Sequence, residues 1–152
     1  PEERTMTDVL TLKTVRLNGT ARDKEDAIRQ AGALLVEGGY VAPGYIEGML
    51  QREQSMSTYV GNGVAIPHGQ FDDLSLIYKT GICVLQLPEG VIWEDEEKVY
   101  LVVGIAATSD EHVNILANLA EVIEDEETAQ LLARTDDPEL VVSYLNRPPV
   151  ES

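Results

Sequence analysis

Apolar residues change their spacing at a series of turn residues, and those changes divide the chain into segments. From Val9 to Leu17 apolar and polar positions alternate, which predicts a short strand or a loosely ordered lead-in. Thr20-Ala21-Arg22-Asp23 then supplies capping residues. Ala27, Ile28, Ala31, Leu34 and Leu35 follow at helical spacing, and Gly38-Gly39 ends the helix with a residue free to take positive φ. Pro43 suits the first turn of a second helix, which runs through Tyr45, Ile46, Met49 and Leu50 to about Gln54.

The period then shortens. Gly61-Asn62-Gly63 reads as a turn and Val64-Ala65-Ile66 as a short strand stopped by Pro67. Leu76 to Leu87 reads as a strand, Val91 to Trp93 as a further short one, and Val99 to Ala107 as a buried one; the acidic stretch Glu94 to Glu97 is a solvated loop between them. Ser109 caps a long helix with Asp110 and Glu111 in its first turn, where carboxylates suit the helix dipole. Helices over Glu126 to Ala133 and Pro138 to Leu145 follow, and Arg147 begins a tail. The expected fold is α/β, a mixed central sheet of about five strands flanked by helices on both sides. Residues 1–152 are expected to form a single domain with its core from about 9 to 147 and flexible termini.

Composition adds little to this picture, and charge adds more. With 43% hydrophobic and 25% charged residues the chain lies near the globular average, which argues against wholesale disorder. The longest apolar run, around Val99 to Ala107, is half of the roughly 18 residues a membrane span needs, and no signal peptide is expected at the polar start. A chain beginning at Pro1 reads as trimmed or excised from a longer product. Its 27 acidic and 11 basic residues give a net charge of -16, which repels nucleic acid and anionic lipid. The same charge suits a basic protein partner, or serves solubility alone. Cys83, the single cysteine, sits in the apolar run Gly81 to Leu85 and reads as a small core residue.

Candidate chemistry rests on two histidines. His68 follows a short strand, between Pro67, which fixes its own φ, and Gly69, which lets the chain turn away; the result is a rigid loop presenting one imidazole at a sheet edge. It is either an ordinary loop histidine or a working one. His112 lies in the first turn of the helix that Ser109 caps, on the stripe of Leu116, Leu119 and Ile123. It either helps to build an anion site at the helix N-terminus or is a core-edge histidine satisfied by a carbonyl or by Asp110 or Glu111. Arg52, beside Glu53, reads by itself as a solvated helix arginine pairing with Glu53 or a neighbouring turn. Tyr40, Tyr45, Tyr59 and Trp93 read as core or edge aromatics. Two histidines and one buried cysteine make a poor metal ligand set, so no metal and no cofactor is expected.

Gly63-Val64-Ala65-Ile66-Pro67-His68-Gly69 resembles the phosphohistidine signature of the type-2 enzyme IIA domains of the bacterial phosphotransferase system, the mannitol/fructose branch. Gly38 to Pro43 with Tyr45, Met49 to Glu53, Pro88 to Val91, Gly104 to Ala107 and Glu111 to Leu116 resemble the mannitol-type members in the same order, so the likeness covers roughly Leu12 to Asn146. The resemblance implies a protein-histidine phosphotransferase in which His68 accepts the phosphoryl group, His112 lies beside it and Arg52 approaches it. It also implies a cytoplasmic carrier for a sugar, mannitol by its branch, charged by the histidine phosphocarrier HPr. The group would pass to a cysteine of a IIB domain, with a membrane IIC component further on and no insertion of this domain into the membrane. An apolar docking rim of Val64, Ile66 and Leu74 is expected around His68. Two other readings stay open: a nitrogen-type or regulator IIA module whose phosphorylation state is the signal, and an interaction domain with an idle histidine.

Overall fold

The computed structural model describes residues 10–107 and 109–145, without the side chains at 71–72 and 109–113. Among them, five strands form one mixed sheet: β1 (Val15–Arg16), β2 (Tyr59–Gly61), β3 (Val64–Ala65), β4 (Gly81–Glu94) and β5 (Glu97–Ala106), in the order β1-β4-β5-β3-β2. The two long central strands run antiparallel, while β1 joins β4 and β3 joins β5 in parallel. Five helices accompany them: α1 (Lys24–Glu37), α2 (Tyr45–Ser55), α3 (Ser109–Glu124), α4 (Glu126–Arg134) and α5 (Pro138–Leu145).

Why β4 and β5 read as unbroken apolar runs is visible in the packing. Cys83 and Leu85 on β4, with Val102 and Ala106 on β5, pack on one face with Ala27, Ile28, Ala31 and Leu35 of α1 and Met49 of α2. Ile82 and Val84, with Leu101, Val103 and Ile105, pack on the other with Leu119 of α3, Leu132 of α4 and Val141 of α5. Strands covered on both faces lose the polar half of the period-two pattern. The expected mixed sheet with helices on both sides is what the molecule has.

Several boundaries differ from the expectations. In the lead-in, only Val15–Arg16 pairs, after a 3-10 turn at Leu12–Thr14. Strand β4 starts at Gly81 rather than Leu76, because residues 71–76 form a 3-10 turn capped by Gln70 and Asp73. It also continues through Val91 to Trp93 as one strand, with an irregularity between Gln86 and Val91 where Pro88 and Gly90 stand. The acidic stretch is no extended loop: Asp95 (φ 50°) and Glu96 (φ 71°) make a two-residue hairpin turn, and Glu94 pairs with Glu97. Helix α2 starts at Tyr45, with Pro43 in the preceding turn. The edge strand β2 had no alternation to announce it; it exists because Tyr59 and Gly61 pair across the Gly61-Asn62-Gly63 turn. Cys83 is fully buried, donating its thiol hydrogen to the Ala31 carbonyl at 3.1 Å.

Candidate functional site

His68 lies past the end of β3, where the chain has left the ladder but still pairs with Ile105 on β5. Backbone bonds fix the loop before it: the Ile66 N–H donates to the Thr58 carbonyl at 3.0 Å, and the Ile105 N–H donates to the Pro67 carbonyl at 3.0 Å. The imidazole is half-buried, and its Nδ1 is 2.9 Å from the Ile66 carbonyl oxygen. A carbonyl only accepts, so Nδ1 carries the proton and the lone pair of the neutral ring is on Nε2.

Behind this loop stands a buried carboxylate. Glu53, on the last turns of α2, is 5% exposed. It accepts from the Thr58 N–H at 3.0 Å, the Thr58 hydroxyl at 2.6 Å and the Trp93 indole N–H at 2.9 Å, with the Lys24 ammonium 3.6 Å away. The bonds run in series: Glu53 holds Thr58, the Thr58 carbonyl holds Ile66, and the Ile66 carbonyl holds the His68 ring. A buried carboxylate with this many donors is satisfied rather than stranded.

Arg52 therefore does not pair with its neighbour Glu53. Its Nη1 donates to the Met56 carbonyl at 2.7 Å at the C-terminus of α2, committing one of the five guanidinium N–H groups to an orphan helix carbonyl. The same helix end is tied to the histidine loop, since the Gln70 amide donates to the Gln51 side chain at 2.9 Å. The described structure thus joins the turn carrying Arg52 to the loop carrying His68.

His112 is in the first turn of α3 by its backbone, while its side chain lies outside the described residues. Three residues separate Ile105, the partner of His68, from Ser109 at the helix start, so the four steps of chain span at most about 14 Å. Farther along α3, Leu119 and Ile123 are buried and Leu116 is partly so.

Two expectations about the surroundings change. Val64 forms no part of a rim: it is fully buried, because β3 lies inside the sheet between β5 and β2. Ile66 and Leu74 are partly exposed, and Ile66 opens onto a groove of about 380 Å³ whose walls include Val60, Leu116, Ala120 and Ile123. Tyr45, which reads from sequence as a core aromatic, is buried but also bonds into the histidine loop. It accepts from the Gly69 N–H at 2.9 Å and donates to the Ile105 carbonyl at 2.9 Å. No sequence signal points to this, or to the tie between Glu53 and Trp93, because these partners are distant in the chain. Among the described residues no cluster of three or more His, Cys, Asp and Glu could hold a metal ion, and no helix is long and apolar enough to cross a membrane.

Residues 8–147 match the family described as phosphoenolpyruvate-dependent sugar phosphotransferase system, EIIA 2. The chain is 51% identical over 131 residues to a multiphosphoryl transfer protein of Xanthomonas campestris pv. campestris, covering 86% of this chain and 16% of that protein. It is 42% identical over 140 residues to the mannitol-specific EIICBA component of Pasteurella multocida, covering 90% of this chain and 22% of that one. It thus spans only about a sixth to a fifth of these relatives' lengths. A solved structure of the complex of enzyme IIAMTL with phosphorylated enzyme IIBMTL from Escherichia coli contains a similar chain. Its TM-score is 0.84 at 38% identity, covering 90% of this chain and 96% of that one.

Proposed function

Because this chain belongs to the type-2 EIIA family of the sugar phosphotransferase system, with sequence and fold resembling its mannitol-specific members, we propose that His68 is its phosphoryl acceptor. The observation that carries the reading is the 2.9 Å contact between His68 Nδ1 and the Ile66 carbonyl, which leaves Nε2 as the nucleophilic nitrogen. The donor is the phosphohistidine of HPr. As Nε2 forms its bond to phosphorus, the donor's N–P bond breaks and its electron pair returns to the donor imidazole. The His68 ring gains positive charge, and the Ile66 carbonyl, already aligned on the Nδ1 hydrogen, stabilises that charge without reorganising. In the second half of the cycle a cysteine thiolate of a IIB domain attacks phosphorus and the electron pair returns to Nε2.

Arg52 and His112 are the groups proposed to bind the equatorial oxygens of the transferring group, the first through its guanidinium fork and the second through a ring N–H. Support comes from the tie between the Arg52 turn and the His68 loop through Gln51 and Gln70, and from the short chain path from Ile105 to the helix that carries His112. The groove beside Ile66 supplies an apolar floor for partner docking. The sugar is mannitol and the domain works in the cytoplasm, supported by the resemblance to the mannitol-specific relatives.

Incubation with phosphoenolpyruvate, enzyme I and HPr, followed by intact mass, tests the reading. An acid-labile adduct of one phosphoryl group that is absent from His68→Ala supports it. An adduct that persists in His68→Ala removes it.

A further inference from the structure

Of the groups that hold the histidine loop from outside the sheet, one is a side chain inserted between two backbone partners. His68 pairs in parallel with Ile105, and the Ile105 N–H donates to Pro67. In such a pairing the next bond of the ladder would run from the Gly69 N–H to the Ile105 carbonyl. Here the Tyr45 hydroxyl sits in that path, taking the hydrogen of Gly69 at 2.9 Å and giving its own to Ile105 at 2.9 Å.

The fit is close. Gly69 has no positive φ, so its glycine is required by space: a Cβ there would lie 2.5 Å from the Tyr45 ring. The ring is 3% exposed, and the hydroxyl is pushed up to about 12, first by burial, so it remains a donor throughout the neutral range. Without the oxygen, the Gly69 N–H loses the acceptor that holds it, and the pairing of His68 with Ile105 leaves the Ile105 carbonyl, across the gap the hydroxyl fills, to take its hydrogen. Closing that gap turns the peptide after His68 and with it the direction of the imidazole.

The geometry points to Tyr45 as a positioning residue for the His68 phosphoryl step, its hydroxyl a spacer that holds Gly69 off the sheet and so aims the imidazole. The inference rests on the phosphoryl-carrier reading, but the aim of the ring can be measured without it. A displacement of about 1 Å at a reacting group costs on the order of 10²-fold in rate. Loss of the spacer therefore slows transfer roughly 10- to 100-fold while the fold persists.

The test compares Tyr45→Phe with Leu132→Ala, a buried residue of α4 in the opposite layer. Two readouts are taken: the tautomer of the His68 ring by nitrogen NMR on the unphosphorylated protein, and the single-turnover rate from phospho-HPr. The expected result is a smaller Nδ1–H share and a 10- to 100-fold slower rate in Tyr45→Phe, with both unchanged in Leu132→Ala. An unchanged tautomer and rate in Tyr45→Phe overturns the inference. So does an equal loss in Leu132→Ala, which would make the effect one of stability alone. If the wild-type protein takes no phosphoryl group at all, the carrier reading fails while the tautomer comparison still decides whether Tyr45 aims the ring.

Discussion

Glu53 on α2 and Trp93 on β4, forty residues apart in sequence, are joined by a 2.9 Å hydrogen bond from the indole N–H to the buried carboxylate. The same carboxylate receives both donors of Thr58 and lies 3.6 Å from Lys24, whose ammonium is also 5.8 Å from the centre of the Trp93 ring. Replacing it by an amide of the same shape puts a donor where an acceptor is needed, so one of the three donors must go unsatisfied. Lys24 is partly exposed and can turn to water, so the cost is that of one or two buried hydrogen bonds. Glu53→Gln is expected to lower unfolding free energy by about 1–3 kcal/mol in a urea titration with unchanged slope. A loss below about 0.5 kcal/mol would show that the carboxylate is not what holds α2 against β4.

Gly69→Ala tests the space beside Tyr45 rather than its hydroxyl. The new methyl meets ring carbons at 2.5 Å and 2.7 Å, which neither side can avoid without moving the loop or the first turn of α2. Destabilisation of about 1–3 kcal/mol is expected, as for other overpacked cores. Gly44→Ala, whose Cβ would meet only Leu76 at 3.7 Å, serves as the tolerant comparison. Equal melting behaviour of the two variants would contradict the packing.

Stability should fall on the alkaline side for two identifiable reasons. Burial pushes the Cys83 thiol from 9.0 up to about 12 and the Tyr45 hydroxyl from 10.0 up to about 12; for the tyrosine, the Gly69 N–H opposes part of the rise. In both, the folded state holds its proton more tightly than the unfolded one. Their contributions are intact below the unfolded values and are lost as pH rises towards the folded ones, at a slope of up to about 1.4 kcal/mol per pH unit for each group. Urea midpoints are expected to decline first above pH 9.0 and more steeply above pH 10.0. Cys83→Ala should flatten the first part and Tyr45→Phe the second. Variants that keep the wild-type slope throughout would refute the assignment.

Arg52 makes a structural contact that a lysine can replace and a proposed phosphate contact that it cannot. A lysine ammonium reaches the Met56 carbonyl as a single donor but has no planar fork. Arg52→Lys is therefore expected to leave stability within about 0.5 kcal/mol while slowing phosphoryl transfer by roughly tenfold or more. Wild-type transfer rates in Arg52→Lys would remove the guanidinium from the site.

How much of this was legible in the sequence depended on whether the deciding contact was local. The caps of α1, the buried character of β5 and the rigid Pro67-His68-Gly69 loop follow from neighbouring residues and were readable. The merger of 81–94 into one strand was not, because Pro88 and Gly90 read as breakers while the pairing of Val91 with Val99 on β5 carries the strand past them. Val64 looked like a surface residue since nothing local says that β3 is an interior strand. Tyr45 and Glu53 escaped for the same reason. Their partners at Gly69, Ile105 and Trp93 are set by tertiary structure, and an aromatic or acidic residue on a helix carries no mark of what it will meet.

The central claim is that the Nδ1 hydrogen of His68 is held by the Ile66 carbonyl and that Nε2 therefore takes the phosphoryl group. Nitrogen NMR of the ring after phosphorylation by HPr reads this directly, through the coupling of phosphorus to one ring nitrogen. The account predicts phosphorus on Nε2 of His68, with the Nδ1 hydrogen still present and protected from exchange. Phosphorus on Nδ1, or on His112 instead, would contradict it.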